Sequence, residues 1–393
     1  MVTYFLNLIK GSAQRELDSF FSVIYPDDSL SQQITKSALS QARKKLSPKV
    51  FMDLNQLVVD TFYGDTKTTS RWKGFRLCAV DGSQFRLPNV TNIVEAFGVH
   101  KGKESQKSCS MALVSMYYDV LNEIIIDASI NPPYASERTL AFEHLTYAQK
   151  DDLVLYDRGY PAFWLFAAHQ DSQVNFCMRV KSNLEMVYKS FVESGKREMI
   201  IEMKPNKPSI VRCQEKGLSI KPIKLRLVRV DLKKETEVLV TNILDDDIVR
   251  TSDFKALYHL RWGIEENYKR QKQWLEIENF SGKSELAIKQ DFFAKLVTHN
   301  LTAITVRESQ KLVSDKIQSR RRNYKVNFAQ ALSKMKDTII SLLHHSGFHE
   351  RLQKLIDFCA QTVEAIRPGR SFPRNIKNKK QNNIRHISYK RCK

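Results

Sequence analysis

The spacing of apolar and polar residues predicts helices at the start of the chain. Within residues 1–66, the apolar side chains of Ala38, Ala42 and Leu46 recur at helical intervals. Pro48 then fits the first turn of a further helix, whose apolar side chains follow with the same period. We therefore predict a helical N-terminal domain over residues 1–66.

The pattern becomes strand-like in the middle of the chain. Phe75, Leu77 and Ala79 alternate with polar or small residues as far as Asp81, and Gly82 then breaks the alternation. Further along, the pattern predicts a strand hairpin over 111–118 and 123–130, a helix over 136–145, a strand over 152–156, a helix over 163–168 and a strand over 174–180. This succession is typical of a mixed α/β sheet.

A third pattern begins near residue 184. Short segments at 210–212, 224–230 and 237–242 alternate or run as β segments among turn-forming residues, which predicts a β-rich insertion. Helices return from Asp253, and the end of the chain is a run rich in Lys and Arg that predicts an extended basic arm. The predicted divisions of the chain are residues 1–66, 67–183, 184–250, 251–300, 301–366 and 367–393.

Composition and charge narrow the choice of partner. The 393 residues are 42% hydrophobic, which is enough for a buried core, and carry 63 Lys+Arg against 43 Asp+Glu. Residues 258–393 hold 28 basic and 12 acidic side chains, so they supply 16 of the 20 excess positive charges. This excess predicts a polyanion, and nucleic acid is favoured over a membrane surface because no amphipathic helix collects the cations on one face.

Other features exclude several classes of protein. The longest apolar stretch, Ala162–Ala168, is far shorter than the roughly 20 residues that span a bilayer, so we expect no membrane partner. Six cysteines without a CxxC pair argue against a zinc ribbon or a disulfide framework, and the N-terminus has no basic leader. We expect a cytoplasmic location. The basic cluster Arg43–Lys45 fits either a DNA-binding surface or an ordinary helix end.

Two aspartates stand at positions where chemistry is often found. Asp81 and Asp157 each follow a predicted strand and precede a residue run that breaks it. Catalytic side chains are commonly displayed at such strand ends. Taken singly, however, a turn-forming or capping role explains each aspartate more simply.

Four polar residues share one predicted helix. Tyr258, Arg261, Glu265 and Lys272 follow one another at intervals of three, four and seven, which predicts that they lie on one face of a single helix. A carboxylate there suits a divalent ion, while the two cations and the phenol suit phosphate oxygens. A solvent-exposed face with an Arg261–Glu265 ion pair explains the spacing equally well.

The motifs together resemble a known family. Tyr-x2-Arg-x3-Glu-x6-Lys resembles the signature of the insertion-sequence-four family of bacterial DDE transposases. The runs Val80–Ser83 and Asp157–Tyr160 are similar to the first and second aspartate motifs of that family, and all three motifs stand in family order. The resemblance extends from about Leu39 to the Arg367-Pro-Gly-Arg stretch.

The resemblance implies a fold, a metal site and a reaction. The fold would be an RNase H-like mixed-sheet core with a β-rich insertion before the last catalytic helix, flanked by an N-terminal helical domain and a C-terminal helical region. By matching position, Asp81, Asp157 and Glu265 would be the catalytic residues and bind two Mg²⁺ ions, for which Mn²⁺ can substitute. The reaction would be metal-dependent cleavage and strand transfer of DNA. Glu266 is the nearest rival to Glu265, and the motif spacing favours Glu265.

The resemblance also implies contacts with DNA. Tyr258, Arg261 and Lys272 would hold the phosphates of the transposon end. Trp262 could stack on a displaced base or, equally, belong to the core, and Arg158 could contact a phosphate or pair with a nearby carboxylate.

The implied partners are double-stranded DNA, as terminal inverted repeats and as target, and a second copy of the chain. Dimerisation is expected through helices after Gly282. Two alternatives remain: a metal-dependent DNA nuclease without strand transfer, and a DNA-binding relative that has lost catalysis. A glycosidase that uses two carboxylates is remote, because it explains neither the cations near Glu265 nor the net charge.

Overall fold

The computed structural model describes the chain in seven stretches that fall into two compact units. The described residues are 1–26, 34–65, 69–100, 109–181, 186–232, 236–316 and 323–367. We call the first unit the helical unit; it contains Met1–Phe62, Arg86–Met111 and the chain from Arg270 onward. The second, the sheet unit, contains Tyr63–Phe85 and Ala112–Lys269. The predicted basic arm after Arg367 lies outside the described residues.

The helices and strands are numbered in chain order. The helices α1 to α14 are Val2–Leu6, Ala13–Ile24, Lys36–Arg43, Lys49–Gly64, Thr91–Phe97, Glu137–His144, Phe163–Asp171, Met186–Glu193, Lys207–Glu215, Phe254–Leu260, Trp262–Gln273, Glu285–Lys316, Phe328–His344 and Phe348–Gln361. The strands β1 to β11 are Arg76–Arg86, Val99–His100, Cys109–Asp119, Ile124–Asn131, Asp152–Tyr156, Asn175–Val180, Glu198–Met203, Ile223–Asp231, Thr236–Thr241, Tyr324–Val326 and Val363–Ala365. Among the described helices, none is long and apolar enough to cross a bilayer.

The sheet unit is built on one mixed sheet in the order β4-β3-β1-β5-β6-β9-β8-β7. Strands β3 and β4 form the predicted antiparallel hairpin, and β1, β5 and β6 are parallel neighbours. A hairpin followed by parallel strands with intervening helices gives the RNase H-like mixed α/β core that the sequence implied. The structure confirms the predicted strands at 152–156 and 174–180 and the predicted helices at 136–145 and 163–168. Most of their ends agree with the prediction to within one or two residues.

A buried ion pair fixes the register of the two central strands. Arg76 of β1 stands opposite Asp152 of β5, and its Nε donates to Asp152 Oδ1 at 2.6 Å. The Tyr117 hydroxyl from β3 also donates to Asp152. Both charged side chains are at most 2% exposed. Because an unpaired charge is costly at such a depth, a slipped register between β1 and β5 is strongly disfavoured.

The predicted β-rich insertion contains strands, and one of its predicted segments differs in the structure. Its strand β9 pairs antiparallel with β6 and so continues the core sheet. The predicted strand at 210–212 is wrong, since these residues belong to α9. Asn206 caps that helix by accepting from the backbone N–H of Ser209 at 2.9 Å, and Pro208 stands in its first turn. Both are helix-start signals that outweigh a short apolar run.

The helical unit confirms the predicted helices at both ends of the chain. Its centre is the long helix α12, against which α1, α13 and α14 pack. Arg43 of the basic cluster is buried here: its Nε donates to Gln290 Oε1 at 2.9 Å and its Nη2 lies 3.3 Å from Asp291 Oδ1. Lys44 and Lys45 are exposed. Arg43 therefore serves the packing of the unit, and only the two lysines face solvent.

Candidate active site

The sheet brings the two motif aspartates to the same place. The parallel register of β1 and β5 pairs Ala79 with Leu155, two residues before Asp81 and Asp157 respectively. Asp81 therefore lies on β1 beside the carboxyl end of β5, which Asp157 follows directly. One detail of the prediction is wrong: Gly82 does not end the strand, because β1 continues to Arg86, and Asp81 lies inside it.

The charges around Asp81 oppose its ionisation. Burial raises the pKa of Asp81 to about 7, and the negative charges of Asp157 and Glu137 act in the same direction. The backbone N–H of Gly82, which donates to Asp81 Oδ1 at 2.9 Å, and the charge of Arg261 lower it by less. These carboxylates thus lie within electrostatic reach of one another, and a bound cation would relieve their repulsion.

The loop after β5 is shaped around Asp157. Asp157 Oδ1 accepts from the backbone N–H of Gly159 at 2.7 Å, and a Cβ at Gly159 would lie only 3.0 Å from that oxygen. Arg158 is exposed in the loop, while Tyr160 is fully buried. The loop therefore holds the carboxylate in a fixed orientation and leaves the Arg158 guanidinium in solvent.

The residues of the four-residue signature do not lie on one uninterrupted helix. Helix α10 ends at Leu260, α11 begins at Trp262, and Arg261 forms the junction. The backbone N–H of Arg261 bonds to the carbonyl of Tyr258 and that of Ile264 to Arg261, both at 3.2 Å, so the turn is tightened to a three-residue spacing. The prediction of a single helix is corrected to two helices joined at Arg261.

Arg261 connects the carboxylates of the site. Its Nη2 donates to Glu265 Oε1 at 2.9 Å, and Glu265 remains 31% exposed. Burial opposes the charge of Arg261, but Tyr258, Glu265 and Asp81 together raise its pKa. Within the part of the chain that the structure describes, no three His, Cys, Asp or Glu side chains are arranged to hold a metal ion. Glu265 is engaged by Arg261 in this arrangement.

Two buried tyrosines attach these helices to the strands that carry the aspartates. The Tyr258 hydroxyl donates to the carbonyl of Tyr156, the residue before Asp157, at 3.2 Å. The Tyr268 hydroxyl donates to the carbonyl of Asp81 itself at 2.7 Å and to that of Val114 at 3.2 Å. Both tyrosines therefore use their hydroxyls to position backbone.

Trp262 and Lys272 have different surroundings. Trp262 is 39% exposed, and the Arg261 guanidinium carbon lies 5.5 Å from its ring centroid. Lys272 belongs to the helical unit, where burial lowers its pKa and Glu278 and Arg86 act on it with opposite signs. The sheet unit thus brings together Asp81, Asp157, Tyr258, Arg261 and Glu265. Lys272 belongs to the helical unit.

Sequence reasoning assigned no role to three further residues at this site. Glu137 begins α6, Tyr160 lies beneath the Asp157 loop, and Tyr268 bonds to Asp81. Tyr160 stood within a recognised motif without an assigned role. For Glu137 the only signal was the helix cap at Ser136. That cap predicts where the helix begins, but it does not predict that Glu137 lies close to Gly82.

Comparison with known proteins places this geometry in context. The family model described as the transposase DDE domain matches residues 72–301. A putative transposase of Sinorhizobium fredii is 29% identical over 188 residues, which is 47% of this chain and 49% of that protein. Transposase InsG for insertion sequence element IS4 of Escherichia coli is 24% identical over 278 residues, 68% of this chain and 60% of that protein. The chain thus spans about half to three fifths of the length of these curated relatives.

A solved structure is also similar at low sequence identity. The cryo-EM structure of the piggyBac transposase synaptic complex with hairpin DNA aligns with a TM-score of 0.41 and 10% identity. The alignment covers 94% of this chain and 77% of the other.

Proposed function

Because the chain belongs to the transposase DDE domain family, we propose that it binds the terminal inverted repeats of a bacterial insertion sequence and catalyses their cleavage and strand transfer. The observation that carries this proposal is the parallel register of β1 and β5, which sets Asp81 and Asp157 side by side. Arg261 then links Asp81 electrostatically to Glu265. Three acids and one cation at the end of a mixed sheet suit phosphodiester chemistry.

The acidic residues fit a divalent cation in their chemistry. Carboxylate oxygens are the ligands that Mg²⁺ prefers, and the repulsion at Asp81 calls for a positive charge. Asp81, Asp157 and Glu265 would hold the metal, and Glu265 would exchange its Arg261 partner for it. When bound, the metal would lower the barrier to attack on phosphorus by polarising the phosphate and the attacking hydroxyl.

The remaining site residues would orient the DNA. In this proposal Arg261, once released from Glu265, pairs with a phosphate of the transposon end, and Lys272 and the exposed Arg158 bind further phosphates. Trp262 offers an exposed ring for stacking on an unpaired base. Tyr258 contributes by holding the backbone before Asp157, since its hydroxyl is already used there.

The charge distribution supports double-stranded DNA as the partner. The excess of 16 positive charges in residues 258–393 begins at the helices of the site. Affinity should then fall with salt at a log–log slope of about −0.9 for each phosphate neutralised. Two copies of the chain would pair the two ends of the element, and the reaction would take place on the chromosome in the bacterial cytoplasm.

The test is a reaction of purified protein with Mg²⁺ and a DNA fragment that carries the element's inverted repeats. We expect cleavage at the ends and joining to a target plasmid. Asp157→Ala should abolish both reactions and leave DNA binding intact, whereas Asp247→Ala, which removes an exposed aspartate of the same unit, should leave both unchanged. Cleavage without joining would favour a nuclease, and cleavage by the Asp157→Ala variant would refute the assignment.

A further inference from the structure

A further carboxylate, that of Glu137, lies against the strand that carries Asp81. An ideal Cβ at Gly82 would stand 2.6 Å from Glu137 Oε1 and 3.0 Å from its Cδ. Any side chain at position 82 would therefore displace the Glu137 carboxylate. The glycine that follows Asp81 is explained by this close approach, since the strand continues through it with no turn.

The position of Glu137 is fixed by contacts at both ends of α6. At the first turn, Arg138 Nε donates to the carbonyl of Gly159 at 2.8 Å, which ties the helix to the loop after Asp157. At the last turn, the His144 ring lies 2.6 Å from Asp127 Oδ2 and 2.9 Å from Ser115 Oγ. The helix is therefore anchored to β3, β4 and the Asp157 loop, and Glu137 is held where it stands.

Glu137 is partly exposed to solvent and faces acidic neighbours. Partial burial and the negative charge of Asp157 raise its pKa, and its own charge acts on Asp81. Among the described residues no Lys, Arg or His forms an ion pair with Glu137. These carboxylates outnumber the Arg261 cation that acts on Asp81, so they create a site of negative potential that an ion from solvent can reach.

An independent observation comes from Tyr160. Its side chain is 0% exposed, and its hydroxyl has no hydrogen-bond partner within the described stretches of the chain. The groups that act on it electrostatically are Asp81, Glu137, Tyr268 and Asp157. Buried hydroxyls are nearly always paired in folded proteins. The Tyr160 hydroxyl would therefore donate to an acceptor oxygen that comes from outside the described residues.

We propose that Glu137 is a fourth carboxylate of the divalent-metal site and that the Tyr160 hydroxyl donates to an oxygen of the hydrated ion. The assignment rests on the proposed function, because it places Glu137 beside Asp81 and Asp157 as metal-binding residues. Glu137 approaches from α6, outside the three motifs, and so supplies a ligand while Glu265 is paired with Arg261.

The experiment measures Mn²⁺ binding to the full-length protein after chelation, by the electron paramagnetic resonance signal of free Mn²⁺. Glu137→Gln should weaken binding about tenfold or more, in the range typical when a group supporting a metal is removed. Glu143→Gln, on an exposed position of the same helix, should bind as wild type does. Asp81→Asn and Asp157→Asn test the site itself and should each weaken binding at least as much.

The outcomes separate the two proposals. Unchanged Mn²⁺ affinity in Glu137→Gln, together with loss of binding in Asp157→Asn, overturns the role of Glu137 and leaves the proposed function standing. Wild-type affinity in both aspartate variants overturns the proposed metal site. In metal-free buffer Glu137→Gln should melt no lower than wild type, because it removes like-charge repulsion.

A second variant keeps the proposal testable if Glu137→Gln does not fold. Gly82→Ala retains every carboxylate but forces the Glu137 side chain away, because the new methyl group would stand 2.6 Å from its oxygen. We expect weaker Mn²⁺ binding in this variant, with a far-ultraviolet circular dichroism spectrum like that of wild type. Unchanged affinity in a folded Gly82→Ala protein would overturn the proposal.

Discussion

Asp81→Asn should make the metal-free protein more stable at pH 8, although it removes a residue proposed for catalysis. Burial, Asp157 and Glu137 raise the pKa of Asp81 from its ordinary 3.8 to about 7. Below pH 4 the carboxyl is protonated in the folded and the unfolded chain, and its full contribution to stability is present. Between about pH 4 and pH 7 the unfolded chain is ionised at this position while the folded carboxyl keeps its proton, so that stability is lost progressively and is gone once the pH exceeds about 7.

The size of the effect follows from the same values. At about 1.4 kcal/mol per pH unit, the difference between 3.8 and about 7 corresponds to at most about 4 kcal/mol. Asparagine resembles the protonated carboxyl and retains Oδ1 as acceptor for the Gly82 N–H. Between pH 5 and pH 8 wild type crosses only about two pH units of this range and should lose about 3 kcal/mol, which the variant should keep at pH 8.

Urea denaturation in EDTA at both pH values measures this difference. Tryptophan fluorescence is a suitable signal because Trp72, Trp164 and Trp262 all belong to the sheet unit. Asp247→Asn, which changes an exposed aspartate, is the control and should match wild type. Adding Mg²⁺ at pH 8 should stabilise wild type more than Asp81→Asn. If Asp81→Asn is less stable than wild type at pH 8 in EDTA, the electrostatic reasoning about the site is wrong.

Three further predictions concern the supports of the site and its charge. Tyr268→Phe should lower the free energy of unfolding by about 1 kcal/mol, since it removes a buried hydrogen bond to Asp81; equal urea midpoints would contradict this. Asp152→Asn should cost about 3–5 kcal/mol because it leaves Arg76 buried without its counter-charge, and a thermal melt close to that of wild type would contradict this. Lys272→Ala should reduce the salt dependence of DNA binding by about one phosphate, measured by fluorescence anisotropy at several salt concentrations; an unchanged slope would show that Lys272 binds no phosphate.

The order of strands and helices in the core could be predicted because its signals are local. Strand β5 is buried along its whole length, and its residues 153–156 form one apolar run in the sequence. Ser136 is a helix-capping residue at the start of α6. The strand predicted at 210–212 failed because the two apolar residues Ile210 and Val211 occur in a short helix as readily as in a strand, and the cap at Asn206 decides between them.

The candidate site could be predicted only in part, because some of its residues meet through the tertiary fold. Asp81 lies within β1 and Asp157 directly follows β5, so their meeting depends on one parallel pairing. Glu137 belongs to α6, which packs against β4. No spacing in the sequence connects Glu137 to Gly82, although the two lie close together in the fold. The junction between α10 and α11 at Arg261 also escaped prediction, since the spacing of the signature is compatible with a single helix.

The proposed function requires that this chain joins DNA ends as well as cutting them. A pre-cleaved transposon end with a 3′-hydroxyl, mixed with the protein, Mg²⁺ and a supercoiled plasmid, tests it most directly. We predict covalent joining of that end to the plasmid, no joining of a matched 3′-dideoxy end, and no joining by Asp157→Ala. Plasmid nicking without any joined product from the 3′-hydroxyl end would contradict the account.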